Sequence, residues 1–242
     1  MKEIKILHLY PDLLNLYGDR GNISAMQKRL EWRGIKADVT VCNKDDSFNA
    51  KDFDIIFLGG GSDREQEVVV EKLIPKKQEL LEYIEDDGVL VAFCGGFPML
   101  GKYYPSGDGR TDGLGLLDIY TEEAKGRFIG NIMVESELVS QKIIGFENHP
   151  GKTVIGSYKP LGKVICGYGS MGDGGYEGLV YKNVFASYLH GPVFPKNQEL
   201  CDYVLAAAMK KKYDDFEEFE LLNDELENMA NKFMEKKLSG DK

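Results

Sequence analysis

The chain has 242 residues, of which 43% are hydrophobic, enough for a sizeable core and too many for a disordered chain. With 30 basic and 40 acidic residues the net charge is −10, so the surface repels phosphate backbones and anionic lipid, which excludes a nucleic-acid partner and broad membrane adhesion. No apolar run approaches the roughly 18–20 residues that span a bilayer, which argues against membrane insertion, and the opening MKEIKILHLYPDLLN lacks the apolar stretch and small-residue cleavage site of a signal peptide.

Ile4–Leu9 alternates and runs into Pro11, as a strand leaving a sheet does. Apolar residues at Ile23, Met26 and Leu30 fall at helical spacing and predict a helix over 22–33, stopped by Gly34. A second strand follows at 37–42. The run DIIFL, 54–58, reads as a buried strand and leads directly into Gly59-Gly60-Gly61. A long helix is predicted from about 65 to 85, kinked at Pro75. VLVAF, 89–93, is another buried strand and ends on Cys94. Strands alternating with helices in this order predict an open, mainly parallel sheet flanked by helices on both faces. From 102 to 190 the texture changes to many glycines and short β-like runs, read as strands and hairpins added to the same domain, before a helix at 198–210. An acidic segment from Asp214 onward is predicted to be helical and largely solvated. The expected organisation is one domain over 1–210 and an acidic C-terminal tail over 211–242.

The segment VLVAFCGGFPMLG carries the most chemistry. A buried strand that stops at a cysteine, with two glycines leading into a short helix, has the pattern of a nucleophile elbow with sulfur in place of a serine hydroxyl. Such a turn lifts the side chain out of the sheet, and free N–H groups at the helix start lower a thiol pKa and stabilise an oxyanion. Cys42, Cys166 and Cys201 lack this context and read as core residues. No CxxC pair exists, so a zinc ribbon is excluded, no metal site is expected, and the protein reads as reduced and cytoplasmic. The turn FLGGGSDREQ, one crossover earlier, gathers at the same sheet edge. N–H groups of Gly60 or Gly61 would complete an oxyanion hole with that of Gly95.

A thiol nucleophile needs a base. His8 sits inside the first strand. His149 lies in ENHP, read as a polar loop. His190 ends a late apolar run, VFASYLH, and precedes Gly191-Pro192, a position that returns the ring to the sheet edge. His190 is the favoured base and His149 the alternative. Gly151-Lys152-Thr153 invites a P-loop reading, but the glycine that motif requires five positions earlier is Phe146. The chain therefore offers no phosphate cradle.

CGG followed by an aromatic, GGGSDREQ, GFENHPGKT and YLHGP together resemble class I glutamine amidotransferases of the cobyric-acid-synthase-like branch, with a flavodoxin-like sheet. LNLYGDRGNI, GGGSDREQ and GFENH narrow the likeness to the glutaminase subunits that serve lipid II amidation. The resemblance spans residues 1 to about 210. It implies hydrolysis of L-glutamine to glutamate and ammonia through a Cys94 thioester, with His190 moving protons and Arg127, in GRFIG, holding the substrate carboxylate. It also implies no cofactor in this chain. ATP and lipid II would belong to a MurT-like, Mur-ligase-type synthetase partner that consumes the ammonia. Two departures stand out: Pro192 occupies the place of the family's third triad residue, and Phe97-Pro98 replaces an aromatic-glutamine pair beside the elbow. Two other readings of the chain are a glutaminase serving a different synthetase, such as one amidating a corrinoid, and a non-catalytic scaffold subunit.

Overall fold

The computed structural model describes residues 1–107 and 109–240; positions 241 and 242 of the expected tail lie outside it. In chain order the elements are β1 (Glu3–Leu9), α1 (Arg20–Glu31), β2 (Lys36–Cys42), β3 (Ile55–Leu58), α2 (Asp63–Leu73), α3 (Lys77–Glu85), β4 (Val89–Phe93) and α4 (Gly96–Met99). There follow β5 (Tyr103–Ser106), β6 (Gly109–Asp112), β7 (Tyr120–Glu135), β8 (Ile143–Val154), β9 (Gly162–Cys166), β10 (Tyr176–Glu177), β11 (Leu179–Tyr181), β12 (Val184–Ser187), α5 (Gln198–Lys212) and α6 (Glu225–Ser239).

Six strands form one sheet in the order β11-β12-β4-β3-β1-β2. All its pairs are parallel except β11 with β12. Successive residues of each strand feed opposite cores, as the two-residue period requires. Leu7, Leu9, Ile56 and Leu58 meet Val69, Val70 and Leu73 of α2 and Leu80 and Ile84 of α3. Ile4, Ile6, Ile55 and Phe57 meet Ile23, Met26 and Leu30 of α1 and Leu200 and Val204 of α5. Because both faces are covered, β3 and β4 are buried along their whole length, which is why DIIFL and VLVAF read as unbroken apolar runs. Each such side chain contributes about 1.5–3 kcal/mol of burial.

The single helix predicted over 65–85 is two. Pro75 sits in a 3-10 turn, Ile74–Lys76, between α2 and α3, because proline cannot donate to the helical ladder. Ser62 and Glu65 close α2 with a capping box. Most of the segment 120–177 does not extend the parallel sheet. It builds a second, four-stranded antiparallel sheet, β10-β9-β7-β8, while β5 and β6 form a separate hairpin. The run LGLLD, 114–118, is turn rather than strand.

The acidic tail is helical only from Glu225. Residues 214–224 carry carboxylates at Asp214, Asp215, Glu217, Glu218, Glu220 and Asp224, whose mutual repulsion at helical spacing disfavours a helix. Two arginines of the α1 region compete for this segment. The buried Arg29 guanidinium pairs with Asp202 of α5 at 2.5 Å and Asp224 at 2.7 Å. Arg33 pairs with Asp202, donates to the Glu220 carbonyl and lies over Phe219. Among the described residues, no helix is long and apolar enough to cross a membrane.

Candidate active site

The parallel strands end together, and the turns after β3, β4 and β12 converge there. Cys94 follows β4 with φ = 54°, a left-handed conformation uncommon for a residue with a Cβ. Its own N–H is held by the Ser187 carbonyl at the end of β12, at 2.8 Å. The strain is thus tied down by the neighbouring strand, as befits a functional turn. Cys94 opens into a cleft of about 270 Å³ whose wall includes Tyr17, Gly61, Gln66, Gly95, Arg127 and His149.

The glycines around Cys94 differ in role. A Cβ on Gly60 would lie 2.6 Å from both Cβ and Sγ of Cys94, so only glycine lets the β3 turn pass Cys94. The Gly60 N–H donates to the buried Asp19 carboxylate at 3.1 Å. Its carbonyl accepts from Leu16 N–H at 3.1 Å. In a trans peptide the following N–H points the opposite way, so Leu16 turns the Gly61 N–H away from itself. Gly61 N–H has no partner among the described residues, and Gly61 lines the cleft. Beyond the sulfur in the chain, the Gly95 N–H lies close enough to hold the Cys94 thiol pKa down, and Gly95 lines the cleft. Gly61 and Gly95 thus present N–H groups where an oxyanion would form, while Gly60 is engaged by Asp19.

Burial pushes the Cys94 thiol up to about 12, with the Asp19 charge adding to the rise; the Gly95 N–H and Arg127 oppose it. The helix start that the sequence suggested would lower this pKa does not prevail. α4 has only four residues, and burial outweighs the Gly95 N–H and Arg127. At neutral pH Cys94 rests as a thiol. Asp19 is itself pushed up to about 6 by burial, against the Gly60 N–H.

The antiparallel sheet supplies the facing wall. The β7–β8 register breaks between Glu123 and Phe128, and this irregularity sets Arg127 at the cleft. Arg127 Nε donates to Asn148 Oδ1 at 2.9 Å and Nη2 to the Asn148 carbonyl at 3.2 Å. Asn148 in turn donates to the Tyr17 hydroxyl at 2.8 Å.

His149 is not in a loop. It is a buried residue within β8 and lines the cleft. Its ring stacks on Tyr188 at 3.8 Å, and Nδ1 lies 2.8 Å from the Gly151 carbonyl. Nε2 faces the buried Glu147 at 3.6 Å. Gly151–Thr153 continues the same strand in antiparallel pairing with β7, an extended geometry that cradles no phosphate.

His190 is buried at the seam of the two sheets, where its backbone pairs with Phe146 of β8. Tyr17 stacks on its ring at 3.8 Å. Among the described residues neither ring nitrogen has a hydrogen-bond partner, and no carboxylate orients it. Burial, with the Lys196 and His149 charges, pulls its pKa down to about 4. The ring is therefore neutral at pH 7 and able to accept a proton. Two expected core residues, Cys42 and Cys201, are buried, and Cys166 is half-buried. His8 is buried edge-on against Phe57.

Sequence reasoning assigned no role to Tyr17, Asp19, Gln66 or Asn148. Each stands in a run that carried the resemblance, LNLYGDRGNI, GGGSDREQ or GFENH, and that coincidence was the available signal.

Residues 5–198 match the CobB/CobQ-like glutamine amidotransferase domain. The chain belongs to this family. It is 43% identical over 225 residues, 93% of this chain and 92% of the relative, to the lipid II isoglutaminyl synthase (glutamine-hydrolyzing) subunit GatD of Staphylococcus aureus. To the GatD subunit of Streptococcus pneumoniae it is 42% identical over 214 residues, covering 87% of this chain and 82% of that one. A structure of PurLQS from Thermotoga maritima shares the fold, with a TM-score of 0.57 at 19% identity over 87% of this chain and 99% of that one. The fold is that of class I glutamine amidotransferases, and within the family the chain groups with the GatD subunits.

Proposed function

We propose that this chain is the glutaminase subunit of a lipid II isoglutaminyl synthase, and that Cys94 is its nucleophile. The observation that carries the reading is one cleft holding a strained, strand-end cysteine between two backbone N–H groups, with a guanidinium on the opposite wall. Arg127 would hold the α-carboxylate of L-glutamine through a two-pronged hydrogen bond. Cys94 Sγ attacks the side-chain amide carbon as His190 takes the thiol proton, and the negative oxygen forms against Gly61 and Gly95 N–H. His190 returns the proton to the departing nitrogen, releasing ammonia and leaving a thioester. It then deprotonates a water that attacks the thioester carbon, and the proton goes back to sulfur as glutamate leaves. His190 is not among the residues lining the cleft, where His149 stands, but its ring packs on Tyr17, which does line it, and among the described residues its two nitrogens are free. With Pro192 at the expected third position and no carboxylate on the ring, the pair works as a dyad within this chain.

Joining ammonia to a carboxylate requires an activated carboxyl group, and the site described here performs no such activation. The ammonia would pass to an ATP-dependent, Mur-ligase-type synthetase of the MurT kind. Together the two subunits would convert the D-glutamate of lipid II to D-isoglutamine in building the cell wall. The test is amidation of lipid II by the chain copurified with its synthetase. Cys94→Ala should abolish amidation driven by glutamine and leave amidation driven by ammonium salts intact. Unchanged ammonia release by that variant would overturn the role of Cys94. A chain whose copurifying partner amidates corrinoids, and not lipid II, would overturn the substrate.

A further inference from the structure

Gln66 lies inside the cleft, nearly buried, in the first turn of α2, where its own N–H is fixed on the Ser62 carbonyl at 2.9 Å. Its side-chain Nε2 donates to the Gly61 carbonyl at 2.8 Å. The same amide group rests on Gly95: a Cβ there would lie 2.7 Å from Gln66 Cδ and Nε2. One side chain therefore touches both peptide segments that offer N–H groups to the oxyanion. The β3–β4 pairing ends at Leu58 opposite Ala92; beyond it the two turns meet at Gly60, which packs on Cys94 and the Gly95 nitrogen, and Gln66 ties them together a second time from α2.

We infer that Gln66 is a positioning residue that sets the distance between the two halves of the oxyanion hole. The inference rests on the glutaminase reading above. An oxyanion hole works because its dipoles are aimed before charge develops, and a misplacement of about 1 Å costs on the order of 10²-fold in rate. Only an amide of this length meets both demands. A carboxylate would turn an acceptor toward the Gly61 carbonyl, and asparagine would fall one methylene short.

The test uses the chain with its synthetase subunit and follows ammonia release from glutamine. In Gln66→Ala, kcat should fall about 10–10²-fold while KM stays within about threefold, because the lost interaction acts in the transition state. Alkylation of Cys94 by iodoacetamide, a displacement at carbon that builds no oxyanion, should proceed at the wild-type rate. In Gln66→Glu the donor returns when the carboxyl is protonated, so the ratio of variant to wild-type kcat should rise as pH falls. An Ala variant with unchanged kcat, or with a raised KM alone, would overturn the inference. So would slowed alkylation together with a pH-independent Glu ratio, which marks a merely structural role. If the wild-type complex releases no ammonia from glutamine, the glutaminase reading fails instead, whatever the variants do.

Discussion

The two sheets solve different halves of one problem. The parallel sheet delivers backbone: a strained Cys94 and the N–H groups of Gly61 and Gly95, all fixed by where β3, β4 and β12 stop. The antiparallel sheet delivers side chains: Arg127, Asn148 and His149 project from β7 and β8 toward the same cleft. His190 stands where they meet, following β12 in the chain and paired with β8 in space. Rigid peptide dipoles suit the reacting atom, whose charge changes most. In the reaction proposed, the longer side chains of the antiparallel sheet serve recognition of the rest of the substrate.

The sharpest break in this division comes from the nucleophile. Cys94→Ala should lower ammonia release by at least about 10³-fold without unfolding the chain. Turnover assays beside a thermal melt check both halves of that statement. Next comes the seam. His190→Ala should reduce kcat by about 10²–10⁴-fold, the range for a lost general base, and His149→Ala by less than about 10-fold. The reverse order would move the base onto the antiparallel sheet.

Away from the cleft, Arg29→Ala should destabilise the fold by about 3 kcal/mol, since it leaves Asp224 without its buried partner and Asp202 with Arg33 alone. Urea unfolding measures this, and proteolysis should release the segment after 213 first. Arg127→Lys keeps the charge but loses the fork. KM for glutamine should rise about 10-fold with kcat within about threefold; a fall in kcat alone would mean that Arg127 acts in the chemistry.

The smallest effect concerns buried charge beside the elbow. Asp19 titrates near 6 in the folded chain, above its ordinary range, so folding favours its protonated form and the stability Asp19 contributes is lost as pH rises from about 4 to about 6. Asp19→Asn should match the wild type at pH 4 and exceed it by about 1–2 kcal/mol at pH 7. His8 and His190, both held near 4, act in the opposite direction: their contribution is lost as pH falls from about 6.5 to 4. Unfolding midpoints across this window should therefore show a steeper acid loss in the variant.

The parallel half was legible because its strands are buried on both faces and advertise themselves as apolar blocks ending in glycine. DIIFL-GGG and VLVAF-CGG state both the strand and the turn. The antiparallel half was harder to read. Strand β8 alternates buried and half-buried residues from Phe146 to Val154, and its polar members made ENHPGKT look like a loop. The tail also misled: it is expected to be helical from Asp214, while Arg29 pairs with Asp224 and Arg33 donates to the Glu220 carbonyl and lies over Phe219, contacts made from outside the segment. The resting state of Cys94 was invisible as well, because a thiol pKa follows burial, and burial belongs to the assembled molecule.

The amino-acid order alone determined the sheet, the elbow and which cysteine stands at its turn, since these follow from local pattern and from the backbone freedom of glycine. Tertiary structure decided which glycine N–H groups are free, which histidine faces the cleft, and how Gln66 and Asp19 grip the β3 turn. Those are relations between residues far apart in the chain. Their distances are set by how two sheets pack, which no local pattern encodes.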